Sequence, residues 1–152
     1  MRAKAGGTAS VVSGVGLVVA VVGTFLPWLR SGTTYRDSHQ TVGVLRRFGL
    51  VEGTPVEYLL PGWPLLVPLA AVSLLLHLAG SRRTGAALGV VFSLLAGTAG
   101  TFASVQGFTS AGLITVTALG PVTTALGAVV VLVGSLGALV VPRMTFPRQQ
   151  EK

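Results

Sequence analysis

Residues 81–103 read SRRTGAALGVVFSLLAGTAGTFA, and this stretch decides the fold. It begins with a short turn that contains Arg82 and Arg83, and then continues from 85 to 103 without a charged residue. About 20 consecutive apolar residues suffice to cross the ~30 Å hydrocarbon core of a bilayer as a helix. Another apolar run ends directly before the turn, so the stretch predicts an antiparallel hairpin of two transmembrane helices.

The composition of the whole chain also favours a membrane protein. Hydrophobic residues make up 51% and charged residues only 10%, with a mean hydropathy of +0.77. A soluble domain has about a quarter of its residues charged. The net charge of +7 does not indicate nucleic-acid binding, because the basic residues form small groups between uncharged runs. Such flanking groups are typical of membrane topology signals.

Four runs without Asp, Glu, Lys or Arg divide the chain, which we interpret as one integral membrane domain, 1–152. The predicted fold is an all-α bundle of four transmembrane helices with a larger first extracytoplasmic loop. The spans are 9–29, 63–80, 85–103 and 122–141; the outer loops are 30–62 and 104–121; the cytoplasmic segments are the turn 81–84 and the tail 142–152. A cleaved signal peptide is the alternative for the first run, but residues 25–30 offer no small-x-small cleavage site, so we favour a retained helix.

The basic residues predict the orientation. Short cytoplasmic loops carry an excess of lysine and arginine. With the N-terminus inside, the cytoplasmic segments hold Arg2, Lys4, Arg82, Arg83, Arg143, Arg148 and Lys152. The outer segments hold only the four arginines of the first loop, which neighbouring acids partly offset. We therefore predict both termini in the cytoplasm. The excess of arginine over lysine, with abundant Gly, Ala and Val, favours a GC-rich bacterium and hence its plasma membrane.

The first outer loop has features of a membrane interface. Trp28, Tyr58 and Trp63 are predicted interface anchors, because amphipathic aromatic rings favour the headgroup level. Arg46 and Arg47 lie among apolar residues, in a short interfacial helix or one strand of a small hairpin. This pair is a candidate contact for an anionic lipid headgroup or an acidic partner surface. Solvation, or pairing with the acids of the same loop, is the simpler explanation.

Small residues recur at every fourth position of the third span, forming a row: Gly85, Gly89, Ser93, Gly97 and Thr101. Such a row lets another helix backbone approach closely. Weaker versions occur in the first and fourth spans: Gly16, Ala20, Gly23, Gly127, Gly134, Gly137 and Ala138. The simpler interpretation is a bundle that packs on itself. The sharper one is that the row receives a helix of a partner chain.

The sequence contains little that indicates chemistry. No Asp, Glu, Lys or Arg falls inside a predicted span, which argues against an ion-coupled pump working alone. His77 is the sole titratable candidate within a span, and we interpret it as interfacial or hydrogen-bonded rather than as a proton relay. His39 with Asp37 is too small a group for a metal site, and there are no cysteines. We predict no catalytic residue, no metal and no cofactor.

The layout resembles that of small four-helix membrane proteins of actinobacteria. The resembling features are the segment GTFLPWL at 23–29, the larger first outer loop and the Arg82-Arg83 turn. The layout is also similar to that of the claudins. However, the claudin loop motif of a tryptophan, Gly-Leu-Trp and two cysteines is missing, so no claudin function is implied. The resemblance implies an accessory subunit of a larger envelope complex.

We therefore expect a non-catalytic accessory or scaffold subunit whose partners are membrane lipids and other membrane protein subunits. An Mce-type lipid transporter and a cell-wall biosynthesis assembly are candidate hosts. One alternative is a small oligomeric transporter or channel that uses the Ser and Thr residues of 104–124. The other is a lipid-modifying enzyme, which would require Asp37, His39, Glu52 and Glu57 to converge.

Overall fold

The structure, a computed structural model, describes residues 2–47, 60–107 and 114–140. In chain order the elements are α1 (Arg2–Phe25), β1 (Leu29–Ser31), β2 (Thr34–Arg36), α2 (Ser38–Arg47), a 3₁₀ helix (Leu60–Leu65), α3 (Leu66–Leu78), α4 (Arg82–Gly107), β3 (Ile114–Val116) and α5 (Leu119–Val140). The 3₁₀ helix runs directly into α3. Tyr58, one of the predicted interface anchors, lies outside the described residues.

Within the described residues, four helical segments are long and apolar enough to cross a membrane: Gly7–Phe25, Leu60–Leu78, Arg82–Val105 and Leu119–Val140. They correspond in order to the four predicted spans. The prediction of a mostly helical, multi-pass membrane protein is therefore confirmed.

Prolines determine where several of these helices begin and end. Helix α1 ends at Phe25, so the predicted end at 29 is wrong. Pro27 disfavours the helical conformation in the residue before it, and the chain becomes extended at Leu29. In contrast, α5 begins at Leu119 and contains Pro121 in its first turn. Proline is tolerated there because its missing N–H would have no partner within the helix.

Helix α3 stops at a glycine. Gly80 has a φ of +82°, the left-handed conformation that ends many helices. The N–H of Gly80 donates to the carbonyl of His77 at 3.3 Å, and the N–H of Ala79 donates to that of Leu75 at 2.8 Å. These bonds satisfy carbonyls that the end of α3 leaves without partners. The chain then turns sharply into α4 at Arg82.

The four long helices form a bundle in which α5 lies between α1 and α4, and α3 packs on the other side of α4. The core is built around Phe92, which is fully buried. The other buried members of this core are Leu17, Ala20, Leu66, Ala70, Ala96 and Val131. Helices α1 and α3 are neighbours with few contacts, so the seam between them is the loosest in the bundle.

The tightest seam joins α1 and α5, and glycine makes it possible. A Cβ on Gly16 of α1 would lie 2.6 Å from the backbone nitrogen of Val131. A Cβ on Gly134 of α5 would lie 2.5 Å from the backbone nitrogen of Ser13. No side chain fits at such distances, so the two backbones touch. The closest approach thus uses the two weaker small-residue patterns, not the row in the third span.

A small antiparallel sheet covers one end of the bundle, with strand order β2-β1-β3. Arg30 in the central strand pairs with Tyr35 of β2 and with Thr115 of β3. The expectation of an all-α chain missed this sheet, since strands of three residues are too short to show a clear alternation. The sheet joins the two predicted outer loops, because β3 comes from the second loop and β1 and β2 from the first.

Candidate functional site

The small-residue row on α4 packs against the chain's own helices. Gly85 faces α3, where an added Cβ would lie 2.5 Å from Nδ1 of His77. Gly89 faces α5, where an added Cβ would lie 2.5 Å from Oγ of Ser135, and Gly97 faces α5 further along. These three glycines therefore serve the internal seams of the bundle.

The other two members of the row are placed differently. Ser93 is buried, and its hydroxyl donates to the carbonyl of Val90 in its own helix at 2.8 Å. Thr101 is exposed on the surface of α4. A spacing of four residues drifts around a helix of 3.6 residues per turn, so one row does not face a single neighbour over its whole length.

A buried hydroxyl pair connects α1 to α5. The Oγ atoms of Ser13 and Ser135 lie 2.9 Å apart, and both side chains are fully buried. Gly89 of α4 lies beside this pair, and because glycine has no side chain, it leaves room for the two hydroxyls. Interhelical hydrogen bonds of this kind stabilise membrane bundles, where a buried hydroxyl finds no water. This polar contact is structural, and it explains one of the serines in the first span.

His77 connects α3 to its neighbours at the end of the bundle near the Arg82-Arg83 turn. Its Nδ1 lies 2.8 Å from the carbonyl oxygen of Ser73, and the Ser73 hydroxyl donates to the carbonyl of Gly85 at 2.8 Å. Because a carbonyl only accepts, Nδ1 carries a proton, and in that tautomer of the ring Nε2 is an acceptor. Nε2 is buried and has no hydrogen-bond partner among the described residues. The histidine is thus hydrogen-bonded, as expected, but on one nitrogen only.

The loose seam between α1 and α3 forms a cavity of about 610 Å³, which we call the α1–α3 groove. Ligand pockets in proteins span ~300–1,000 Å³. The groove is lined by Gly7, Ser10, Val11, Gly14, Val15, Val18, Val19, Leu74, His77, Leu78 and Arg82. Val11, Val15 and Leu78 are exposed, so the groove opens sideways, out of the bundle. Sequence reasoning missed the groove because no periodic pattern shows how far apart two helices lie.

At the opposite end of the bundle, Trp28 organises the loops. Its side chain is only 6% exposed, and its Nε1–H donates to the carbonyl of Gly23 at 2.9 Å. Its ring meets Trp63 edge to face, with centroids 5.6 Å apart. The indole N–H of Trp63 in turn donates to Oγ of Ser38 at 3.0 Å. Trp28 is therefore buried among the loops, and its role as an interface anchor stays a prediction. Trp63 is partly buried.

Hydrogen bonds to the backbone around Trp28 join both outer loops. Its N–H donates to the carbonyl of Arg36 at 2.8 Å, and its carbonyl accepts from the N–H of Thr117 at 2.9 Å. The Thr117 hydroxyl and the Gly120 N–H both donate to the carbonyl of Pro27, at 2.6 and 3.0 Å. Gly120 has to be glycine, because a Cβ there would collide with the Trp28 ring. We call β1, β2, β3, α2 and the 3₁₀ helix together the platform.

Two candidate catalytic residues have structural roles in the platform. The Asp37 carboxylate accepts the N–H of Gln40 at 2.8 Å, which caps the start of α2. The His39 ring packs on Phe25, with centroids 5.2 Å apart. Glu52 and Glu57, which the enzyme hypothesis also requires, lie outside the described residues. Within the described residues no group of three His, Cys, Asp or Glu side chains could hold a metal ion.

The outer surface of the platform carries arginine and tyrosine. Arg46 and Arg47 are both exposed at the end of α2. Helix α2 shows that this segment is helical, which is one of the two predicted structures, and its position at a membrane interface stays a prediction. The guanidinium of Arg30 lies 5.6 Å from the centroid of the exposed Tyr35 ring, and its Nε donates to the carbonyl of Gly32 at 3.0 Å. At an exposed site such a cation–π contact favours this arrangement by about 0.5–1 kcal/mol.

The sequence contains one local signal for a part of the platform, a run of β-branched residues at the position of β3. Ile114, Thr115, Val116 and Thr117 form such a run within the second outer loop, and residues of this type favour strands. The sequence predicts this segment only as part of the outer loop 104–121. Instead α4 continues to Gly107 and β3 pairs with β1. Residues 108–113, between them, lie outside the described part of the chain.

Comparison of the chain with protein-family models, with curated proteins and with solved structures finds no match. The platform and the α1–α3 groove are therefore the features of the structure from which a function can be inferred.

Proposed function

We propose that this multi-pass membrane protein is a non-catalytic accessory subunit of a larger bacterial membrane assembly, and that it docks through the platform. An Mce-type lipid transporter and a cell-wall biosynthesis complex are the hosts we propose. The observation that carries the proposal is that the described parts of both predicted outer loops form one hydrogen-bonded unit around Trp28. Preorganised surfaces bind at a lower entropic cost than flexible loops.

The exposed side chains of the platform support a protein partner. Tyr35 is 56% exposed, and Arg46 and Arg47 are exposed nearby in sequence on α2. Tyrosine and arginine are among the residues most enriched in interface hot spots. The surface of the described platform is basic, because residues 29–47 contain four arginines and one acid, Asp37. We therefore propose an acidic surface on the partner.

The small-residue row plays no part in this docking. Gly89 and Gly97 are covered by α5, so a partner helix would have to displace part of the bundle to reach them. In this proposal the row stabilises the subunit, and the platform binds the partner.

Affinity purification tests this proposal. The tagged protein is extracted from its native membrane with a mild detergent, and the proteins that accompany it are quantified by mass spectrometry. We expect one stoichiometric partner with the wild type. The double variant Arg46→Glu, Arg47→Glu should lose that partner at least about tenfold, because charge reversal opposes an acidic surface.

The matched control is Gln40→Glu, which adds one negative charge to another exposed position on α2. This variant should retain the partner. Recovery of the wild-type protein without any stoichiometric partner, or undiminished binding by the double variant, would refute the proposal.

A further inference from the structure

We propose that the α1–α3 groove binds one anionic phospholipid, with an acyl chain between the two helices and the phosphate beside Arg82. This site lies at the opposite end of the bundle from the platform. It is independent of the accessory-subunit proposal.

The walls of the groove fit a hydrocarbon chain. Val11, Val15 and Val18 of α1 line it together with Leu74 of α3. Val11 is 65% and Val15 is 56% exposed, so the apolar wall opens towards the lipid that surrounds a membrane protein. The valines offer an apolar surface to an acyl chain that enters from the side.

The length of the groove corresponds to one leaflet. Its lining on α1 extends from Gly7 to Val19, which is about 18 Å at a rise of 1.5 Å per residue. Half of the hydrocarbon core is about 15 Å thick. The groove therefore suits the acyl chain of a lipid from the leaflet on the Arg82 side, which is the cytoplasmic leaflet in the predicted orientation.

Polar groups lie at one end of the groove, where a headgroup would be. Arg82 lines this end and makes no ion pair with any described residue. His77 lines it as well, is 8% exposed, and has Nε2 buried without a partner among the described residues. The Nδ1–Cε1 edge of the ring packs against Gly85, and the side chain is part of the groove lining.

A buried acceptor without a donor is costly, so the site is expected to receive one. The hydroxyls of a glycerol headgroup can donate to Nε2 of His77. The guanidinium of Arg82 can bind the phosphate of the same headgroup through charge-assisted hydrogen bonds. The two side chains thus match two features of one lipid, a phosphodiester and a hydroxylated headgroup.

The charge at this end of the bundle favours an anion. The four acids of the chain are Asp37, Glu52, Glu57 and Glu151, so residues 1–36 and 58–150 contain none. Arg83 follows Arg82, and Arg2 and Lys4 lie in the first turn of α1. Each basic residue near the surface adds to the attraction for anionic lipid.

Native mass spectrometry of the purified protein measures the binding directly. The protein is placed in nanodiscs that contain phosphatidylcholine and phosphatidylglycerol in equal amounts, and retained lipid is counted after release. We expect one retained phosphatidylglycerol per chain. Arg82→Gln should lower this occupancy about fivefold, whereas Arg83→Gln, beside it but outside the groove lining, removes only a general surface attraction and should lower the occupancy clearly less.

A second pair of variants tests the acyl chain. Val15→Trp fills the groove and should abolish retention, whereas Val22→Trp adds the same ring at an α1 position that is 50% exposed and outside the groove. Val22→Trp should retain the lipid. Glycerophosphate, which lacks acyl chains, should not compete.

Several results would overturn the proposal. Equal retention of both lipids, or equal losses with Arg82→Gln and Arg83→Gln, would mean a general surface attraction. Displacement by glycerophosphate would mean a site for a free phosphate. A photo-crosslinking residue at position 15 that captures a polypeptide in native membranes, and not a lipid, would mean that a partner helix fills the groove.

Discussion

At the scale of single residues, the closeness of the helices depends on which positions lack a Cβ. Gly134 touches the backbone of Ser13, whereas Gly43 on α2 has nothing within 4 Å of an added Cβ. Both are glycines within helices, so the sequence alone does not separate them. The difference between them is one of tertiary packing.

We expect Gly134→Ala to destabilise the protein by about 1–3 kcal/mol, since two backbones must move apart to admit the methyl group. Gly43→Ala should be neutral or stabilising, by at most about 1 kcal/mol, because alanine has the higher helix propensity. Reversible unfolding in mixed micelles measures both free energies. An equal effect of the two substitutions would contradict the observed α1–α5 seam.

The Ser13–Ser135 pair permits a second test at this scale. In a double-mutant cycle with alanine at both positions, we expect a coupling energy of about 0.6–1.7 kcal/mol, the range of interhelical hydrogen bonds in membranes. Ser13 with Ser93 is the control cycle, because Ser93 bonds only within its own helix. Additive effects in the first cycle would show that the two hydroxyls do not interact.

At the scale of elements, the main finding is that the second outer loop supplies a strand to the first. Arg30 of β1 is directly opposite Thr115 of β3. In an antiparallel pair, opposed Cβ atoms lie about 4.5–5.5 Å apart, and a slip of one residue turns a side chain to the other face. The register is therefore testable with cysteine pairs, and the chain contains no cysteine that would interfere.

We expect Arg30→Cys with Thr115→Cys to form a disulfide under mild oxidation, visible as a change of gel mobility that a reductant reverses. Arg30→Cys with Val116→Cys should remain reduced, because the second side chain points to the opposite face of the sheet. Cross-linking of the control pair with equal yield would mean that β3 is mobile or paired in another register.

At the scale of the whole molecule, the arrangement of the ends relative to the membrane remains a prediction from the distribution of charge. The short Arg82-Arg83 turn favours a cytoplasmic position for that end, and the platform would then be outside. Gly43 on α2 and Thr84 near the turn are both exposed and lie at opposite ends of the described fold.

We therefore expect a membrane-impermeant maleimide to label Gly43→Cys in intact cells. Thr84→Cys should react only after the membrane is permeabilised. The reversed pattern would show that the chain is inserted the other way round, with the platform inside the cell.

The number and order of the membrane helices were predictable because each depends on local composition. A run such as 85–103 is apolar enough to leave water whatever surrounds it. The basic turn with Arg82 and Arg83, and Gly80 directly after α3, are local signals of the same kind. The interpretation of His77 as hydrogen-bonded also rested on its sequence position near a span end.

The sequence by itself determined that the chain forms four helices that prefer a membrane to water, since hydrophobic transfer is a property of each segment. Only the tertiary structure decided which helices touch, that Trp28 is buried, and that a groove remains between α1 and α3. These features depend on pairs of residues far apart in the chain, such as Trp28 and Gly120. No local pattern encodes such a contact, because its energy exists only once the helices have packed.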